Sequence, residues 1–130
     1  MNITITGHVI HGDNYGKVLG FPTANLDRRE YIREKMKIRF GVYAGFAQIL
    51  NLKSKILNPL GYKSAIVIGP LDSHHLPKIE AHLIGFKGNL YGKKITISLI
   101  KYLRPFKKFK NLTDLKAQIR KDLQKAKKIT

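Results

Sequence analysis

At 130 residues, 43% of them hydrophobic, the chain is long enough to bury one core, and with no cysteine it excludes disulfides and thiolate metal sites. Its formal net charge of +17 at pH 7 favours anionic partners and says nothing about fold. No apolar run is long enough to span a membrane, and residues 1–10 lack the basic start of a signal peptide.

The elements follow in chain order. Residues 2–11 alternate as a strand, with Ile3, Ile5 and Val9 on one face; Gly7 suggests a bulge or close packing. Residues 12–25 read as a loop. Three glycines at a spacing of four, Gly12, Gly16 and Gly20, allow its backbone to approach a ligand closely. Pro22 then fixes the chain before Thr23 and Asn25, whose oxygens suit a hard cation and whose i, i+2 spacing puts them on one face of an extended segment. Both types are equally common in turns. The common phosphate loop, Gly-x-x-x-x-Gly-Lys-Ser/Thr, is absent.

Residues 27–40 are charged and poorly patterned, with a helical turn suggested over 28–36. Gly41 to Leu52 reads as a strand, and the Asn58-Pro59-Leu60-Gly61 turn joins it to a second over 62–69. Pro70 to Pro77 reads as a loop carrying the His74-His75 pair, which is better taken as solvated than as a metal site. Strands are predicted over 78–86 and 93–103, joined through Gly88 to Gly92. On the first, alternation places Glu80, His82, Ile84 and Phe86 on one side. A carboxylate on an otherwise apolar strand needs a partner or a function, and an ion pair with a lysine would satisfy it.

The period then changes. Leu112, Leu115, Ile119, Leu123 and Ala126 share one helical face, with Thr113 as predicted N-cap and Asp114 favouring the positive helix start. Strands followed by one helix predict an all-β, small closed barrel with the helix packed outside. No linker or repeat divides the chain, so residues 1–130 read as a single domain.

The string Gly-Asp-Asn-Tyr-Gly-Lys-Val-Leu-Gly-Phe-Pro-Thr-Ala-Asn over 12–25 resembles the signature of the riboflavin kinase (flavokinase) family. So, in order, do Gly41-Val-Tyr-Ala, Ile68-Gly69, Glu80-Ala-His-Leu-Ile-Gly-Phe, Leu90-Tyr91-Gly92-Lys93, Tyr102-Leu103-Arg104-Pro105 through Phe109, and the helix with Asp122 and Ala126. The resemblance implies a six-stranded Greek-key barrel that phosphorylates riboflavin to FMN with ATP. It makes Glu80 the catalytic base. It assigns Thr23 and Asn25 to the metal, Mg²⁺ with Mn²⁺ or Zn²⁺ left open. Gly12, Gly16, Lys17, Gly20, Phe21, Pro22 and Thr23 would hold the nucleotide, together with the turn Leu90, Tyr91 and Gly92. Arg104 and Phe109 would border the flavin.

The chain departs from the pattern in three places. It has no His-x-Gly-His adenylyltransferase motif, so it is expected to make FMN and not FAD, with a separate FAD-forming enzyme left open as a partner. Pro70-Leu71-Asp72 and the histidine pair replace a Pro-Thr/Tyr-Phe/Tyr stretch, and residues 27–40 match no pattern. A cytoplasmic monomer is expected. Two other functions compete: a non-catalytic flavin or nucleotide sensor on the same barrel, and a basic barrel binding nucleic acid. Retention of Glu80, Thr23 and Asn25 argues against the first. Against the second, the eleven Lys/Arg and two Asp of residues 101–130 carry no recognisable RNA-binding aromatic motif and read as a solvated surface.

Overall fold

The computed structural model describes residues 3–10, 23–29, 37–50 and 61–129. Among them, six strands close into a barrel: β1 (Ile3–Ile10), β2 (Ala24–Leu26), β3 (Gly41–Leu50), β4 (Tyr62–Leu71), β5 (Pro77–Leu83) and β6 (Lys94–Arg104). Their order around the wall is β1-β2-β5-β4-β3-β6, and all pairs are antiparallel. The successive strands β3, β4 and β5 lie side by side, and β6 returns to the far side of β3, which is a Greek key. Helix α1 (Leu112–Lys127) packs outside.

Period-2 alternation builds the wall. Ile5, Val9, Leu26, Ile66, Ile68, Ile79, Ile95, Ile97 and Leu99 point inward and fill the barrel. Gly7 makes no bulge, since β1 pairs with β6 in unbroken register from Ile3 to His8. Nor does it mark unusually close packing: a Cβ there would stand 3.4 Å from the Asp27 carbonyl oxygen, an ordinary contact. A bulge does occur between Ala44 and Gly45. There the β3 backbone approaches β6 so closely that a Cβ on Gly45 would meet the Ser98 carbonyl oxygen at 1.9 Å.

Several boundaries differ from the predicted ones. Residues 24–26 of the predicted loop form β2, which is too short for periodicity to register. β4 runs on to Leu71 through a cis Gly69–Pro70 peptide and an irregular register. β5 stops at Leu83, where Gly85 turns the chain at φ +85°. Phe86 therefore leaves the Glu80 face and packs on the barrel interior against Tyr62, ring centroids 5.5 Å apart. The helix is capped by Asn111, not Thr113. Asn111 is extended, and its side chain accepts the Asp114 N–H at 2.9 Å, whereas Thr113 already lies within the helix. The turn suggested over 28–36 falls mostly outside the described residues.

The helix meets the barrel unevenly. Its C-terminal half seats Leu123, Ala126 and the following Ile129 on Ala44 and Ala65, adjacent small residues of β3 and β4 that allow close approach. Its N-terminal half, with Leu112, Leu115 and Ile119, lines a groove.

Candidate active site

The groove has a volume of about 520 Å³. One wall is the outer face of the barrel. There Val42, Ala65 and Val67 give an apolar surface, and Lys78, Glu80 and His82 reach out from β5. The other wall is the first half of α1 and the segment 106–111 before it. Glu80 arrives there by alternation: Ile79 and Ala81 are buried in the barrel, so Glu80 must face outward. Its side chain is 18% exposed, and the Lys78 ammonium lies 3.4 Å from its Oε1.

β2 completes the acidic corner. Asn25 stands directly opposite Glu80 and Ala24 opposite Ala81. Residues opposed across antiparallel strands share a face, so Asn25 and Glu80 both lie on the outer side. Ala24 and Leu26 are both buried in the barrel, which agrees with that orientation. Thr23 lines the groove two residues before Asn25. Thr23 and Asn25 carry a hydroxyl and an amide oxygen, donors that suit a hard cation rather than a thiolate or imidazole centre. No cluster of three or more His, Cys, Asp or Glu able to hold a metal unaided occurs among the described residues.

Arg104 closes the groove at the end of β6. Its Nε donates to Asp122 Oδ1 at 2.9 Å and its Nη2 to Asp122 Oδ2 at 2.8 Å, a bidentate pair across to α1. Gln118 donates a further bond to Asp122 Oδ1 at 3.0 Å. The Arg104 guanidinium lies 6.0 Å and the Lys107 ammonium 5.6 Å from the Phe109 ring centroid. Both cations are thus within cation–π range of the Phe109 ring at the groove wall.

A groove lined by Val42, Ala65, Val67, Leu115 and Ile119 together with the Glu80 carboxylate and several cations suits a largely apolar ligand bearing a few polar groups. The family model described as Flavokinase: Riboflavin kinase matches residues 1–130. The chain belongs to the riboflavin kinase family. It is 37% identical over 118 residues to the bifunctional riboflavin kinase/FMN adenylyltransferase of Escherichia coli, covering 91% of this chain and 35% of that protein. It is 36% identical over 123 residues to the protein of the same name from Bacillus subtilis, covering 94% of this chain and 37% of that one. The chain therefore spans little more than a third of these curated relatives. The crystal structure of riboflavin kinase from Trypanosoma brucei superposes with a TM-score of 0.71 at 25% identity, covering 97% of this chain and 75% of that one.

Of the site residues predicted from this family's motifs, the structure brings Thr23, Glu80, Arg104 and Phe109 to one groove, with Asn25 beside Glu80. Leu90, Tyr91 and Gly92 do not line it. They form the turn before β6, where Gly92 donates to the Val9 carbonyl at 2.9 Å, Leu90 packs on the core and Tyr91 is half-exposed. That turn adjoins the end of β1, from which the chain enters residues 11–22. Gly12, Gly16, Lys17, Gly20, Phe21 and Pro22 lie outside the described residues. Sequence reasoning noticed Asp122 only as a motif match and gave Lys78 no role. The (i, i+2) spacing of Lys78 and Glu80 on a strand was the available signal for the second. Nothing local announces the Arg104–Asp122 pair, which joins residues 18 apart in sequence.

Proposed function

We propose that this chain, as a single kinase domain, transfers the γ-phosphate of ATP to the 5′-hydroxyl of riboflavin, giving FMN and ADP. The observation that carries this reading is Glu80, a carboxylate turned into the groove from a strand whose other face is core. In this reading Glu80 is the general base. The bond from O5′ to the γ-phosphorus forms, and the bond from that phosphorus to the bridging oxygen breaks. The electron pair leaves with ADP, and the hydroxyl proton passes to the Glu80 carboxylate.

The other residues bind and orient. Val42, Val67, Leu115 and Ile119 offer the isoalloxazine ring an apolar bed, and Arg104 and Phe109 close its rim. Arg104 is held in place by Asp122 and so does not have to be ordered when the ring enters. Thr23 and Asn25 would hold Mg²⁺, which when bound neutralises charge on the transferring phosphate. The glycine loop 12–20 with Lys17, and the Leu90–Gly92 turn, would embrace the nucleotide.

The test is FMN formation, followed by chromatography, from riboflavin, ATP and Mg²⁺. FMN is the expected product. No FMN with any common nucleoside triphosphate or divalent metal would overturn the reading, and flavin binding without turnover would leave a sensor in its place.

A further inference from the structure

The pair formed by Lys78 and Glu80 has a consequence beyond proton removal. We infer that Lys78 is a phosphate-binding residue that makes the groove select the phosphorylated flavin, FMN, over riboflavin. The inference rests on the kinase reading above.

The geometry begins from Glu80. A base that removes the 5′ proton must lie within hydrogen-bond reach of O5′, about 2.6–3.2 Å. The Lys78 Nζ is 3.4 Å from Glu80 Oε1, on the same outward face of β5 and lining the same groove. The phosphorus joined to O5′ in the product is one bond further on. Its oxygens fall within the sweep of a flexible four-carbon ammonium that is 40% exposed.

Charge gives the residue its purpose. Riboflavin brings no charge to this corner, whereas a phosphate monoester near pH 7 carries roughly −1.5 to −2. Once Glu80 has lost its acquired proton to solvent, two anions face each other across a hydrogen-bond distance. When ADP and the metal have left, a product held there is stabilised by a cation of the protein itself, and the Lys78 ammonium lies 3.4 Å from Glu80 Oε1. Lys107, Lys108 and Lys110 line the groove from the segment 106–111 before α1, not from β5 beside Glu80. Lys78 therefore acts on the difference between substrate and product. It adds affinity for FMN and leaves riboflavin unaffected.

Binding distinguishes the two flavins without turnover. Riboflavin and FMN are each titrated by flavin fluorescence, without nucleotide, against the parent chain, Lys78→Met and Lys78→Arg. The parent is expected to bind FMN more tightly than riboflavin, and added salt is expected to narrow the gap. Lys78→Met is expected to raise the FMN Kd on the order of tenfold with the riboflavin Kd unchanged, as loss of one charged hydrogen bond implies. Lys78→Arg is expected to keep most of the preference. Equal weakening of both flavins would make Lys78 a packing residue and overturn the inference, as would unchanged binding of both. A parent that forms FMN while Lys78→Met binds normally would sink this inference alone. A parent that neither binds flavin nor forms FMN would sink the kinase reading with it.

Discussion

The two faces of β5 divide the work of the molecule. Its inward residues Ile79 and Ala81 are 2% and 0% exposed and belong to the barrel core. Its outward residues Lys78, Glu80 and His82 line the groove. Neighbouring residues about 3.4 Å apart along one strand thus serve the core and the groove separately. The pleat sets this separation, and it makes the fold tolerant of change at the site. A register slip of one residue would exchange the two sets, which is why the inward isoleucines also fix where the carboxylate points.

The largest effect expected from this division is on Glu80. Glu80→Gln keeps the shape and removes the proposed base, and should lower the rate of FMN formation by about 10²–10⁴-fold. Its thermal unfolding should move by no more than a few degrees, because the core face of β5 is untouched. Equal rates in parent and variant would remove Glu80 from the mechanism. Ile97→Ala tests the other side. Ile97 is fully buried, and its loss should cost about 2–5 kcal/mol in chemical denaturation. The folded fraction should keep its affinity for riboflavin. Loss of flavin affinity in folded Ile97→Ala would show that the core and the groove are coupled.

How far each face was legible in the sequence follows from the same division. The inward face was read well, since Ile3, Ile5 and Val9 announce it by alternation and all three are in or against the core. The barrel with an outer helix followed from the count and spacing of such runs. β2 escaped because three residues cannot show a period. Phe86 was misplaced because alternation was carried past Gly85, whose positive φ ends the strand. On the helix, one apolar stripe concealed two roles. Leu123 and Ala126 pack on the barrel, while Leu112, Leu115 and Ile119 face the groove, and periodicity alone does not separate a buried stripe from a lined cavity. Glu80 stood out because a lone acid in an apolar run is costly unless it is used. Its neighbours in the site arrive from β2, β6 and α1, and pairing across such distances has no local signature.

Asp122 is where the division should fail. It is 4% exposed, yet it holds a groove residue, Arg104. Asp122→Ala should cost about 2–3 kcal/mol in urea unfolding, below the roughly 3–5 of a fully buried pair because Arg104 remains partly solvated. It should also weaken riboflavin binding, since the Arg104 guanidinium loses both anchoring bonds. A stability loss with flavin affinity intact would exclude Arg104 from the flavin rim.

The smallest effect belongs to a region that is neither core nor groove. Asp72 ties the β4–β5 connection to Arg28, just after β2. Partial burial pushes its carboxyl up, but the Leu76 amide, the Arg28 guanidinium and the His74 amide outweigh that and hold it at about 2. Asp27 is also held at about 2, chiefly by hydrogen bonds from the Arg29 side chain and backbone. The ordinary aspartate value is 3.8, so both are depressed in the folded chain. The unfolded chain therefore takes up protons first as pH falls. The stability these groups contribute is complete above that ordinary value and is lost between it and about 2. Acid titration followed by circular dichroism should show a stability loss in that window, shallower in Asp72→Asn than in the parent. The loss should be modest, because these pairs face solvent, and smaller still at high salt. FMN formation by Asp72→Asn at pH 7 should match the parent. A large fall would place the β4–β5 connection in the reaction, and the separation seen across β5 would then not extend to the end of its strand.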